Sequence, residues 1–142
     1  MEGIVSGNGS LYIGVVYRPP GSNLTLFLDK MAGILEGLKG KRLHLMGDFN
    51  LDLVKGGQHA ATDEFLAILD NVGLYPLISL PTRITSKSAT LIDNIFINEV
   101  SSVSSGLILS SISDHLPTFA IFGGAGIAHS ERAPVHSNEG SE

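Results

Sequence analysis

Five polar residues interrupt or follow apolar runs in a way that a plain core does not require. They are Asp48 and Asn50 in "LMGDFN", Asp93 in "TLIDNIFIN", and Asp114 with His115 in "ISDHLP". Asp48 and Asn50 stand two apart behind a short apolar run, so on a still-extended backbone their side chains share a side. A carboxylate there can take a proton from water, and an amide can donate to a phosphate oxygen. The competing reading is a turn, in which Asp and Asn bond their own backbone. Gly47 lets the chain turn or approach a ligand closely. Asp93 lies among Leu91, Ile92, Ile95 and Phe96, and a carboxylate in such company needs a partner. Its alternative is a solvent-facing strand position or a bulge. Adjacent residues on a strand face opposite ways, so Asp114 and His115 serve different partners. One economical arrangement gives His115 to Asp93, which fixes the imidazole tautomer. Asp114 then reaches a metal or Asp48, and Ser113 caps or orients either group. His44, His59, His129 and His136 read as ordinary surface or core histidines.

Carboxylates, an amide and an imidazole form an oxygen-rich set that suits Mg2+, a hard cation that keeps several waters and takes a substrate phosphate. The chemistry implied is metal-assisted attack of water on a phosphodiester. A carboxylate positions the water, while the cation and the histidine stabilise charge on the phosphoryl oxygens.

The elements that must hold these groups alternate between strand and helix, which predicts an α/β domain. Residues 10–20 are β-rich and stop at two prolines. Leu24, Phe27, Leu28, Met31, Ile34, Leu35 and Leu38 recur at helical spacing before Gly40. Residues 41–50 read as a short buried strand running into a polar loop, and 56–60 as a turn. A second helix over 62–73 has Thr62 as its N-cap and Gly73 as its stop. A short extended piece at 74–78, a polar loop at 81–88 and strands over 89–98, 101–110 and 116–122 follow. The strands are apolar at nearly every residue, which predicts sheets covered on both faces. Residues 1–9 read as a lead, and residues 123–142 lack periodicity and read as a disordered tail.

With 142 residues, 43% of them hydrophobic and 16% charged, the chain suits one domain with a real core. No apolar run approaches the roughly 20 residues that cross a bilayer. There are no cysteines, which excludes disulfides and thiolate metal sites. With no signal-peptide pattern at the start, the expectation is an intracellular chain without a membrane partner. The net charge of −5 argues against binding nucleic acid by bulk attraction. Contact with phosphates must be local, through Arg18, Lys41, Arg42, Arg83 and Lys87.

In order and spacing, "VYRPPGSN", "LMGDFNLDL", "SATLIDNIFIN" and "ISDHLP" resemble the endonuclease/exonuclease/phosphatase family. More narrowly, they resemble the endonuclease domain of non-LTR retrotransposons of the jockey and CR1 type. The resemblance covers about residues 10–122. It implies part of a four-layer α/β/β/α sandwich of the DNase I-like kind, without its N-terminal strands. It also implies a Mg2+-dependent nuclease that nicks DNA, with Mn2+ as the other cation. Asp48 would position or deprotonate the attacking water, and Asn50 would bond the scissile phosphate. Asp93 would orient His115, and His115 would stabilise developing charge. Asp114 would lie by the metal. Tyr17 matches a phosphate-contacting tyrosine, with Thr90 and Ser113 as supporting hydrogen bonders. The family's metal-binding glutamate has no counterpart here, since Glu36 and Glu64 fall on helices and Glu2 has no strand context. The expectation is therefore weak or absent cutting by this chain alone. The alternative is an inactive retroelement-derived fragment that binds nucleic acid or protein. Open sheet edges predict a homodimer or pairing with the rest of the domain.

Overall fold

In the computed structural model, residues 4–6, 9–99 and 102–123 are described. The proposed tail at 123–142 lies outside them except for Gly123. The order of elements is β1 (Ile4–Ser6), β2 (Gly9–Tyr17), α1 (Leu24–Gly37), β3 (Arg42–Asp48) and α2 (Ala60–Asn71). Then come β4 (Tyr75–Pro76), β5 (Arg83–Ile84), β6 (Ala89–Thr90), β7 (Asp93–Ile97), β8 (Val103–Leu107) and β9 (Thr118–Phe122). A strand thus falls inside residues 1–9, which the sequence presents only as a lead.

The main sheet runs β1-β2-β3-β7-β4. β2 and β3 are parallel, joined by α1, and β7 lies antiparallel to β3. One face of this sheet carries Leu43, Leu45 and Phe96. They pack with Leu28, Met31 and Leu35 of α1 and Phe65 and Leu69 of α2. Phe49, Phe65 and Phe96 meet edge to face or tilted, with ring centroids 5.2–6.0 Å apart. Burying each ring is worth about 2–3 kcal/mol, so this trio anchors α2 to the strand end that carries Asp48, and Phe27 of α1 packs on Phe65 at 6.1 Å.

Helix α1 starts where the sequence places it. Asn23 Oδ1 accepts the Leu26 N–H at 2.9 Å, a cap worth about 1 kcal/mol. Helix α2 departs from expectation. It begins at Ala60 with His59 as an N-cap that makes no side-chain bond, and Thr62 is buried in the first turn instead. The core takes Thr62 because it falls on the same face as Phe65 and Leu69.

The loop expected at 81–88 contains a hairpin, with Arg83 opposite Thr90 and Ile84 opposite Ala89. The run expected as one strand over 89–98 breaks at Leu91 and Ile92, both buried, before β7 joins the main sheet. The β8–β9 pair covers part of the second face of the main sheet. There Phe122 stacks on the buried His44 at 4.4 Å. These are three consecutive layers (α, β, β) of a four-layer plan. Coverage on both faces is not uniform: Val15 is 78% and Tyr17 67% exposed on β2.

Candidate functional site

Strand register sets the first row of the site. Tyr17 pairs with Asp48 across β2 and β3, and Asp48 pairs with Asp93 across β3 and β7. Directly opposed residues share a face, so these three lie in one row on the face away from the helices. Gly47 makes the close strand approach achievable. Its φ is +148°, and a Cβ there would fall 1.8 Å from the Val16 carbonyl oxygen.

β3 ends at Asp48, and the chain turns sharply. Phe49 is buried, and Asn50 adopts φ +48°. Asp48 Oδ1 accepts the Asn50 N–H at 3.0 Å, the local bond that Asp favours in turns. The extended backbone that would set Asp48 and Asn50 side by side is therefore not adopted. The Asn50 amide donates to the Arg18 carbonyl at 2.7 Å. Arg18, expected as a phosphate contact, is buried. It donates through Nε to the Phe49 carbonyl and through Nη2 to the Asn50 carbonyl, each at 2.7 Å. It clamps this turn and is not available to a ligand.

His115 arrives from a distant segment. The Leu116 N–H donates to the Thr82 carbonyl at 2.7 Å, and Arg83 bridges His115 through the backbone. His115 Nδ1 lies 3.0 Å from Asp93 Oδ2. With Asp93 ionised, that nitrogen carries the proton and Nε2 is left free to meet a ligand. Asp93 has a second partner that the sequence did not single out. Thr82, fully buried, donates its hydroxyl to Asp93 Oδ2 at 2.7 Å. The Thr82 hydroxyl oxygen in turn accepts the Ile92 and Asp93 N–H groups. The only local sign was a hydroxyl residue between Pro81 and Arg83, in a stretch whose polarity reads as loop.

An open hollow of about 330 Å3 is lined by Gly47, Asp48, Asp93, Ser113, His115 and Thr118. Ser113 Oγ accepts the His115 N–H at 3.1 Å, so it orients that segment. Thr90 stays outside the hollow, its backbone carbonyl taking the Thr82 N–H. Asp114, expected by the metal, instead accepts a 2.7 Å bond from Arg83 Nε. Arg83 holds its carboxyl below the usual range. No local pattern pairs residues 31 apart.

Burial pushes the Asp48 carboxyl up, the Asn50 N–H opposes this, and the nearby Asp93 charge raises it further. A carboxylate so placed is a better proton acceptor than a free one. Asp48, Asp93 and His115 each offer a ligand atom within 4.8 Å of the others. Two adjacent carboxylates with open valence fit a divalent cation by donor chemistry. Among the described residues no glutamate joins the group. Glu99, two residues past the end of β7, is committed to Arg42 and His44.

A family model described as "Endonuclease-reverse transcriptase" matches residues 11–119. Among solved structures, the chain is similar to the endonuclease domain of TRAS1, a telomere-specific non-LTR retrotransposon, with TM-score 0.67 and 22% identity. The match covers 84% of this chain and 59% of that one. It is also similar to an endonuclease/exonuclease/phosphatase family protein from Leptotrichia buccalis C-1013-b, with TM-score 0.62 and 19% identity over 86% of this chain and 52% of that one. The chain thus spans little more than half of each of these solved chains. No curated protein matches it.

Proposed function

Because the chain belongs to the endonuclease–reverse transcriptase family, we propose that its hollow is the water-activating and charge-stabilising part of a Mg2+-dependent site that nicks DNA. The observation that carries this reading is the convergence of Asp48, Asp93 and His115, which come from three separate segments.

In this reading Asp48 accepts a proton from the attacking water, helped by the burial that raises its proton affinity. Asp93 holds the His115 ring through Nδ1, and Thr82 holds Asp93. With a proton on both ring nitrogens, one held by Asp93, His115 donates through Nε2 to a phosphoryl oxygen as negative charge grows on it. Asn50 and Tyr17 flank the scissile phosphate. A divalent cation held by Asp48 and Asp93 would supply Lewis-acid neutralisation of the phosphate, and Mn2+ is its natural substitute.

Two carboxylates without a glutamate support weak cutting by this chain alone. The test is plasmid nicking with Mg2+ against Asp48→Ala and His115→Ala. We expect slow, Mg2+-dependent nicking that each change lowers at least a hundredfold. Nicking that survives both changes refutes the assignment. A folded chain that binds DNA and never nicks it favours the inactive-fragment reading. The exposed Val15 and Tyr17 on β2 support a cover for that face. The candidates are a second copy and the part of the fold that the solved relatives hold beyond this match. Sedimentation of the purified chain tests the homodimer.

A further inference from the structure

Of the five cations that the sequence offers to a phosphate backbone, position removes most. Arg18 is spent on the Phe49 and Asn50 carbonyls. Arg42 is held by Glu99. It lies six residues along β3 from Asp48, about 20 Å at 3.3 Å per residue, and Lys41 precedes it. Lys87 sits in the turn of the β5–β6 hairpin.

Arg83 differs from all of these. It is bridged to His115 through the backbone, and the following Ile84 N–H donates to the Asp114 carbonyl at 2.9 Å. Its positive charge acts on both Asp48 and Asp93. The guanidinium bonds Asp114 through Nε alone, at 2.7 Å. Nη1 and Nη2 have no partner among the described residues. A half-exposed ion pair of this kind adds little to stability. What it does is hold the planar fork in one direction, the geometry that recognises phosphate. Beside it runs an open groove of about 520 Å3 lined by Ile84, Leu109, Ser110, Ser111, Ser113 and Asp114. Ser113 and Leu116 line both this groove and the hollow, so a strand leaving the hollow along the groove passes Asp114, the carboxylate that holds Arg83.

Resting on the nuclease reading above, we propose that Arg83 binds a backbone phosphate next to the scissile one, and that Asp114 is the residue that positions it.

The test is fluorescence anisotropy of a labelled DNA duplex in Ca2+, titrated with salt. Arg83→Ala should weaken binding about tenfold, the loss of one charge-assisted bond. It should also lower the slope of log Kd against log salt by about 0.9, equally on different sequences. Arg83→Lys should keep the slope and lose affinity, because the charge stays and the fork does not. Asp114→Asn and Asp114→Ala remove the same charge and differ in whether an acceptor remains for Arg83 Nε. Asn should therefore bind more tightly than Ala. An unchanged slope in Arg83→Ala, or equal binding by the two Asp114 variants, overturns the proposal. So does a wild-type chain that binds no duplex. Hydrolysis of bis(4-nitrophenyl) phosphate by the wild type in Mg2+, a diester with no neighbouring phosphate, reads the cutting chemistry separately. If it proceeds while duplex binding fails, the Arg83 assignment falls and the hydrolytic reading stands. If neither occurs, both fall.

Discussion

Replacing Thr82 by Val removes one oxygen from a fully buried position and keeps the shape. That oxygen donates to Asp93 Oδ2 at 2.7 Å and accepts the N–H groups of Ile92 and Asp93 at 3.2 and 3.0 Å. A hydrogen bond to a charged group is worth about 1.5–3 kcal/mol, and each stranded buried donor costs about 1–3 kcal/mol. The three bonds share one atom and are not additive, which brings the expected loss to about 3 kcal/mol. At about 4 °C per kcal/mol for a domain of this size, the melting temperature should fall by roughly 12 °C. Thr82→Ser keeps the hydroxyl and gives up one methyl, so it should cost only about 1 kcal/mol. Circular dichroism melts in EDTA, which remove any contribution from bound metal, measure both. The same substitution frees the Asp93 carboxylate to rotate, so nicking should fall in the Val variant and return in Ser. A Val variant within 0.5 kcal/mol of the wild type, or a Ser variant as damaged as Val, would refute the claim that this hydroxyl holds the His115 partner in place.

Asp48→Asn should stabilise the fold at neutral pH, measured by urea unfolding in EDTA, while abolishing nicking. The sign follows from burial and the Asp93 charge, which raise the folded-state value above the ordinary 3.8. Ionisation therefore costs the folded state, and the cost disappears as pH falls through that raised value toward 3.8. The advantage of Asn should shrink over the same interval. Gly47→Ala should fail to give soluble folded protein, because its Cβ meets the Val16 carbonyl and the Gly47 φ is unfavourable for any side chain. Yield and circular dichroism check it. Arg18→Lys should cost about 2 kcal/mol in thermal melts, since one ammonium cannot bridge the Phe49 and Asn50 carbonyls in the fork geometry.

Much of the frame could be read without coordinates. The spacing of Leu28, Met31 and Leu35 marks the buried side of α1. Asp93 stood out because a carboxylate among Ile and Phe needs a partner, and His115 was the economical one. Where the reading slipped, a local rule met a competing tertiary demand. Thr62 looks like a cap but fills the core. Arg18 looks like a ligand contact but holds the Asp48 turn.

Periodicity and composition, which act over a few residues, were enough to specify an α/β chain and which side chains seek burial. They also marked the few carboxylates that a core would not tolerate alone. The row of Tyr17, Asp48 and Asp93 depends on strand register, and Thr82, 11 residues from Asp93, and His115, 22 residues from it, join only when their segments close onto β7. A one-residue slip in that register would turn the row to the opposite face. Packing of the whole sheet against its helices excludes the slip, and no short stretch of sequence carries that information.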